Sequence, residues 1–240
     1  MNDAGIGSTI QAPGQRRIKA QVCGTDGLDR VELLKNGRVL RRWWPESASS
    51  TVSNKHRLRL TWGWGRKDRP VRWDCRLSLS EGAITLVESC FAGPPVVAPV
   101  AQVGDAEVAD DEDLPHEVCE RTERSCAWRS VTVGNLSMRH ATTQALSLEL
   151  DAPLTAVVSV EANGQRWTYR LADLLHAGRC RYLRGWLSEA IRVGPLVPLG
   201  ECALAAELAD EPEREVDVYR LRVNQHNGQW VWLTPIWAER

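Results

Sequence analysis

Indole rings are the side chains of this sequence best able to recognise another molecule, for the chain carries 11 Trp against 3 Tyr and 1 Phe. An indole buries a large apolar area and keeps one N–H to donate, which suits a half-buried sheet face as well as an exposed stacking platform. Most of these rings read as packing residues of β-strands. Trp43, Trp44, Trp62 and Trp64 are set apart because they fall at strand ends and loop edges, and together they form the candidate interaction surface.

Polar chemistry is harder to assemble. His116, Cys119 and Cys126 are the only metal-ligand types that lie close in sequence, and their spacing matches no zinc template. The seven cysteines contain no CxxC pair, so in a reducing compartment they read most simply as small buried hydrophobes. Asp74 with His140 or His176, and Glu189 with Asp173, make acid–base pairs on paper, but no spacing singles one out. The acidic residues between Asp105 and Glu123 lack the alternation of oxygen ligands around a glycine that a calcium loop needs. No catalytic residue, metal ligand or cofactor is assigned, and the chain is expected not to be an enzyme.

A formal net charge of −1, from 30 basic and 31 acidic residues, offers no general field for nucleic acid or an anionic membrane. The opening Met1-Asn2-Asp3-Ala4-Gly5-Ile6-Gly7 has neither the basic segment nor the apolar run of a secretory signal, and no window reaches the length of a transmembrane helix. A cytoplasmic, soluble protein is expected, with neither nucleic acid nor membrane as a partner.

The elements that must position these residues are strands. Ile18, Ala20 and Val22 alternate with Lys19 and Gln21, and Leu58, Leu60 and Trp62 alternate with Arg57, Arg59 and Thr61. Val71 to Leu79, Ala83 to Phe91, Ala127 to Val131, Ala145 to Leu150 and Thr155 to Val160 continue the pattern. Asn36-Gly37, Asn163-Gly164 and Asn227-Gly228 sit between alternating runs, where a tight turn needs φ > 0. Leu183 to Ile191 and Glu201 to Leu208 read as two further strands, and Tyr219 to Trp237 as a closing hairpin. One short helix is expected from Leu171 to Gly178, with the glycine as its stop.

About a dozen short strands and one minor helix predict an all-β, antiparallel, immunoglobulin-like sandwich, or two sandwich-like halves. On composition the halves are 1–104 and 125–240, joined by an acidic linker or loop at 105–124. Arginines and lysines that alternate along the strands would blunt exposed sheet edges.

The ending Tyr219-Arg220-Leu221-Arg222-Val223, followed by Gly228-Gln229-Trp230-Val231-Trp232-Leu233-Thr234-Pro235-Ile236-Trp237, resembles the strand pair that closes many bacterial PHP-type (polymerase and histidinol phosphatase) phosphoesterase-like proteins. Val31 to Val39, Arg72 to Leu79 and Trp128 to Thr132 are similar to segments that precede that ending. The family's metal-binding His-x-His is absent from the five histidines here, so no catalytic residue carries over. The resemblance implies a C-terminal β region standing without its catalytic domain, and as partner a separately encoded PHP-like hydrolase or a second copy of the chain. A non-catalytic interaction module is the first functional reading. A carbohydrate-binding module that stacks exposed Trp rings on sugars is the alternative.

Overall fold

The computed structural model describes residues 1, 3–45, 54–64, 70–92, 116–132 and 142–240. Residues 105–115 of the expected acidic linker lie outside these residues. The fold is all-β, and the chain divides into two compact units, one made of 1–53 with 197–240 and the other of 54–196.

The first unit is built from both ends of the chain. Its larger sheet has the order β1 (Thr9–Gln11), β18 (Ile236–Glu239), β16 (Val216–Gln225), β3 (Leu28–Lys35) and β4 (Arg38–Trp43), with β17 (Trp230–Trp232) also paired to β16. β1 and β18 run parallel, whereas β16 is antiparallel to β3, β17 and β18. A second sheet pairs β2 (Arg16–Cys23) with β15 (Ala203–Asp210). Ile18 and Leu208 of that ribbon pack with Leu33 and Tyr219 of the larger sheet, and Val22 and Leu204 pack with Val31 and Val223. Period-two alternation puts these residues on one side of each strand, so the apolar sides face each other.

A fully buried ion pair sits in this unit. Arg16 donates to the Asp217 carboxylate, to Tyr219 Oη at 3.0 Å, and to the Ala12 and Ala238 carbonyls at 3.2 and 3.1 Å. Asp217 also accepts from Asn36 Nδ2 at 2.6 Å and from the Glu213 and Arg214 N–H groups at 2.8 and 3.3 Å. Burial alone would raise the Asp217 carboxyl, but these hydrogen bonds outweigh it and hold the group well below the usual carboxylate range.

The second unit stacks two five-stranded sheets over one core. One has the order β13 (Arg179–Tyr182), β14 (Ala190–Pro198), β5 (Lys55–Gly63), β10 (Thr143–Asp151) and β7 (Ala83–Cys90). The other has β12 (Gln165–Arg170), β11 (Val157–Ala162), β6 (Val71–Leu79), β9 (Ser125–Thr132) and β8 (Glu117–Arg121). Leu58, Leu60 and Trp62 of the first sheet share a core with Trp73, Leu77, Trp128 and Val160 of the second. Trp62 and Trp128 lie 5.3 Å apart between ring centroids. Trp62 donates its indole N–H to Ser130 Oγ at 2.6 Å and Trp73 donates to Thr132 Oγ1 at 2.8 Å, so hydroxyls on β9 satisfy two of the buried indoles.

Several expectations change. The split is nested rather than sequential, because the strands that complete the first unit come from the far end of the chain; the expected boundary falls inside the second unit, and Glu117–Arg121 of the expected linker is an edge strand. Five strands over five differs in strand count from the immunoglobulin constant pattern of about seven strands. The expected helix is a single 3-10 turn at Leu171–Leu174, and a second such turn spans Leu199–Cys202. Of the strand expected over 183–191, residues 183–189 are instead a loop between β13 and β14, and only Ala190 and Ile191 belong to a strand, β14. The Asn36-Gly37 and Asn163-Gly164 turns have the φ > 0 pair, at 51° and 82° and at 48° and 82°. At Asn227-Gly228 only the glycine is positive (82°), and Gln225 bonds Gln229 across a three-residue loop.

His56 closes one end of the second unit's core and has no solvent exposure. Burial lowers its pKa, and the Asn54 carbonyl and Asp151 oppose that only in part, so the folded state favours the neutral ring. The stabilisation is therefore present above the ordinary imidazole pKa of about 6.5 and lost as pH falls below it. Urea titrations between about pH 7 and pH 5 should show the second unit weakening by up to about 1.4 kcal/mol per pH unit, and His56→Leu should remove that slope. An unchanged slope in the variant would assign the effect to other groups.

Candidate binding surface

The four tryptophans chosen from sequence do not form one surface. Trp62 has no exposure and is a core residue. Its place follows from Leu58, Leu60 and Trp62 sharing the inward side of β5, a signal already present in the alternation. Gly63 ends that strand at φ 141°, where a Cβ would sit 2.1 Å from the Thr142 carbonyl oxygen, so only glycine fits. The next residue, Trp64, takes φ 60° and turns out to solvent. In the first unit Trp43 is half-buried against both apolar clusters, and Trp44 is exposed.

The polar candidates are scattered over buried and exposed positions. Among the described residues no group of three His, Cys, Asp or Glu side chains could hold a metal. The His116 ring packs 5.8 Å from Phe91. Cys126 is buried, its thiol pushed up to about 11 by desolvation first, whereas Cys119 is exposed at an irregularity of edge strand β8. Cys23 and Cys180 are exposed too, against the expectation of buried cysteines. Asp74 is exposed on β6, the His176 side chain is exposed while its backbone N–H donates to the Leu196 carbonyl, and His140 lies outside the described residues. Both oxygens of Glu189 are held by Arg184 at 2.8 Å, a neutralised pair unsuited to proton transfer, while Asp173 is exposed on a 3-10 turn.

The surface with a built arrangement is the side of the first unit's sheet that faces away from its core. Trp232, Arg222, Glu32 and Arg42 stand in one cross-strand row over β17, β16, β3 and β4. The Arg222 guanidinium lies 5.5 Å from the Trp232 ring centroid. Glu32, only 1% exposed, accepts from Arg42 Nε and Arg222 Nε at 2.6 Å each. Desolvation would raise its carboxyl, but these hydrogen bonds from Arg42 and Arg222 pull it below the usual range. In the neighbouring row Trp230 stands opposite Asn224, whose Nδ2 is buried with no hydrogen-bond partner.

The edge of this surface is also open. Leu221, Val223 and Gln225 of β16 face Leu233, Val231 and Gln229, and the Gln225 and Leu233 N–H groups bond across at the two ends. Antiparallel alternation then turns the N–H and C=O groups of Trp230 and Trp232 away from β16. Among the described residues β17 is paired on that one side only. Trp230, Val231 and Trp232 are all exposed, at 68%, 45% and 46%. The Trp-x-Trp spacing after a glycine turn, opposite Arg222 and Asn224, was the available signal for this platform.

No relative decides what it binds. No family model, no curated protein and no solved structure matches this chain.

Glu32 is the pivot of the row, which separates two variants. Glu32→Gln should destabilise the first unit by about 2–4 kcal/mol, because hydrogen bonds to charged groups are lost where water does not replace them. Arg42→Ala should cost less than about 1 kcal/mol, since that side chain is half exposed. Urea unfolding of both variants gives the comparison, and equal costs would deny Glu32 its role.

Proposed function

We propose that this chain is a non-catalytic interaction module that captures an extended peptide segment on edge strand β17 of its first unit. What carries the reading is that Trp230 and Trp232 combine exposed indoles on one side of the sheet with backbone groups aimed at an unpaired edge. Strand addition uses main-chain hydrogen bonds for affinity and alternate side-chain contacts for selectivity. The exposed indoles of Trp230 and Trp232 favour an aromatic or other apolar residue on the incoming strand. A PHP-like hydrolase, the partner class implied by the sequence resemblance, is the first source of such a segment to try.

The test is selection of displayed peptides on the immobilised chain, followed by titration of those selected. Alanine at both Trp230 and Trp232 should weaken binding by roughly thirty-fold or more, as loss of aromatic anchors does. Selected peptides that bind the double variant equally, or no selected peptide at all, would overturn the reading.

A carbohydrate-binding role is the second reading, favoured by the unpartnered Asn224 amide beside the indole of Trp230. A glycan array that responds to the native chain and not to the double Trp variant would favour it over the peptide.

A further inference from the structure

The two most exposed large apolar residues of the described chain are neighbours in the second unit, far in sequence from β17. Trp186 is 78% exposed and Leu187 75% exposed, at the apex of the loop between β13 and β14. Tyr182 joins them, its ring 5.5 Å from that of Trp186.

This loop is built to hold those side chains out. Buried Leu183 closes its base by donating its N–H to the Glu189 carbonyl at 2.9 Å. Ser188 Oγ accepts from the Arg184 N–H at 3.0 Å and donates to the Gly185 carbonyl at 2.7 Å. The Arg184–Glu189 pair spans the same residues with two contacts of 2.8 Å. Leu187 is held at φ 66°, a conformation unfavourable for a residue with a Cβ and retained only where the surroundings fix it. A hydrogen-bonded loop that points a Trp and a Leu at solvent gains nothing in core burial from them, so the display needs another cause.

The charges around it suggest the cause. Arg181 and Arg184 flank the apex, whereas the Arg192 guanidinium lies back against Gly178. Glu189, the only carboxylate in 179–192, is buried beneath Arg184, whose own side chain is 68% exposed, so the charge presented to solvent is positive. Arg181 is fixed by its contact with the Tyr169 hydroxyl at 3.0 Å and ring at 5.7 Å. The chain as a whole carries −1, so this positive excess is local. Trp186 and Leu187 stand out from a loop tip, so a protein partner would need a pocket shaped to them. A bilayer interface accepts protruding indole, phenol and leucine side chains without one, and its anionic headgroups pair with arginine.

We propose that the Tyr182–Trp186–Leu187 apex is a membrane-docking wedge that inserts shallowly into an anionic lipid interface, with Arg181 and Arg184 on the headgroups. This is peripheral attachment; no helix among the described residues is long and apolar enough to cross a bilayer. It stands apart from the β17 reading, since it uses the other unit.

The experiment is co-sedimentation of the full chain with vesicles of phosphatidylcholine alone or mixed with phosphatidylserine, at low and high salt. The native chain should sediment with the phosphatidylserine vesicles, less so at high salt. Trp186→Ser with Leu187→Ser should lower that partition by about ten-fold, and alanine at Trp230 and Trp232 should leave it unchanged. Both changed residues of the first variant are exposed, and matching circular dichroism and urea midpoints would verify its fold. Equal sedimentation of the apex variant, or no sedimentation of the native chain with either vesicle, overturns the proposal. A native chain that ignores vesicles but forms a dimer broken by the apex variant overturns it in favour of a second copy.

Discussion

The first unit depends on one buried charge pair. Arg16 and Asp217 are 201 residues apart in sequence and both have no side-chain exposure. Removing two ions from water costs several kcal/mol each, and is offset only when every donor and acceptor finds a partner. Here Nε and both terminal nitrogens of Arg16 donate, and Asp217 accepts from Asn36 and from the turn at Glu213 and Arg214 as well. The pair thereby ties β2 to β16 and to β18, and reaches the turn between β3 and β4. Tyr219 adds a hydroxyl bonded on both sides, from Arg16 and to Asp210, and desolvation foremost raises its phenol far above the ordinary range.

That constraint reaches the proposed binding platform through register. Asp217, Tyr219, Leu221 and Val223 share the inward side of β16, so Arg222 and Asn224 must face away. A slip of one residue would exchange the two sides and bring the Arg222 guanidinium into the apolar cluster. Fixing Asp217 therefore fixes which residues meet Trp230 and Trp232, and Glu32 completes the row from the next strand. Stability inside the sheet and presentation outside it follow from a single alternation.

Alternation and turn chemistry made most strands legible in advance, because both are local. The runs at Ile18, Leu58, Val71 and Ala145 lie where they were expected, and two of the Asn-Gly turns have the expected pair of positive φ values. Non-local facts were not legible. Arginines that read as edge protection include Arg57, 3% exposed and bound to Glu88 and Glu149, because a period of two identifies a side of a strand without saying what covers it. The nesting of one unit within the ends of the other depends on pairings such as β1 with β18, which no short window contains. The loop at Leu183 to Glu189 was misread as a strand because its apolar residues suggested burial, whereas side-chain hydrogen bonds hold them in solvent. Trp62 shows the reverse error, an indole near a strand end that alternation had already committed to the core.

If the Arg16–Asp217 pair joins the two chain ends into a single cooperative unit, both ends should open together. Hydrogen exchange by mass spectrometry on Asp217→Asn tests it most directly. Arg16–Cys23 and Val216–Gln225 should lose protection together, while Val71–Leu79 and Thr143–Asp151 keep theirs. Protection lost only beside residue 217, with Arg16–Cys23 unchanged, would contradict it.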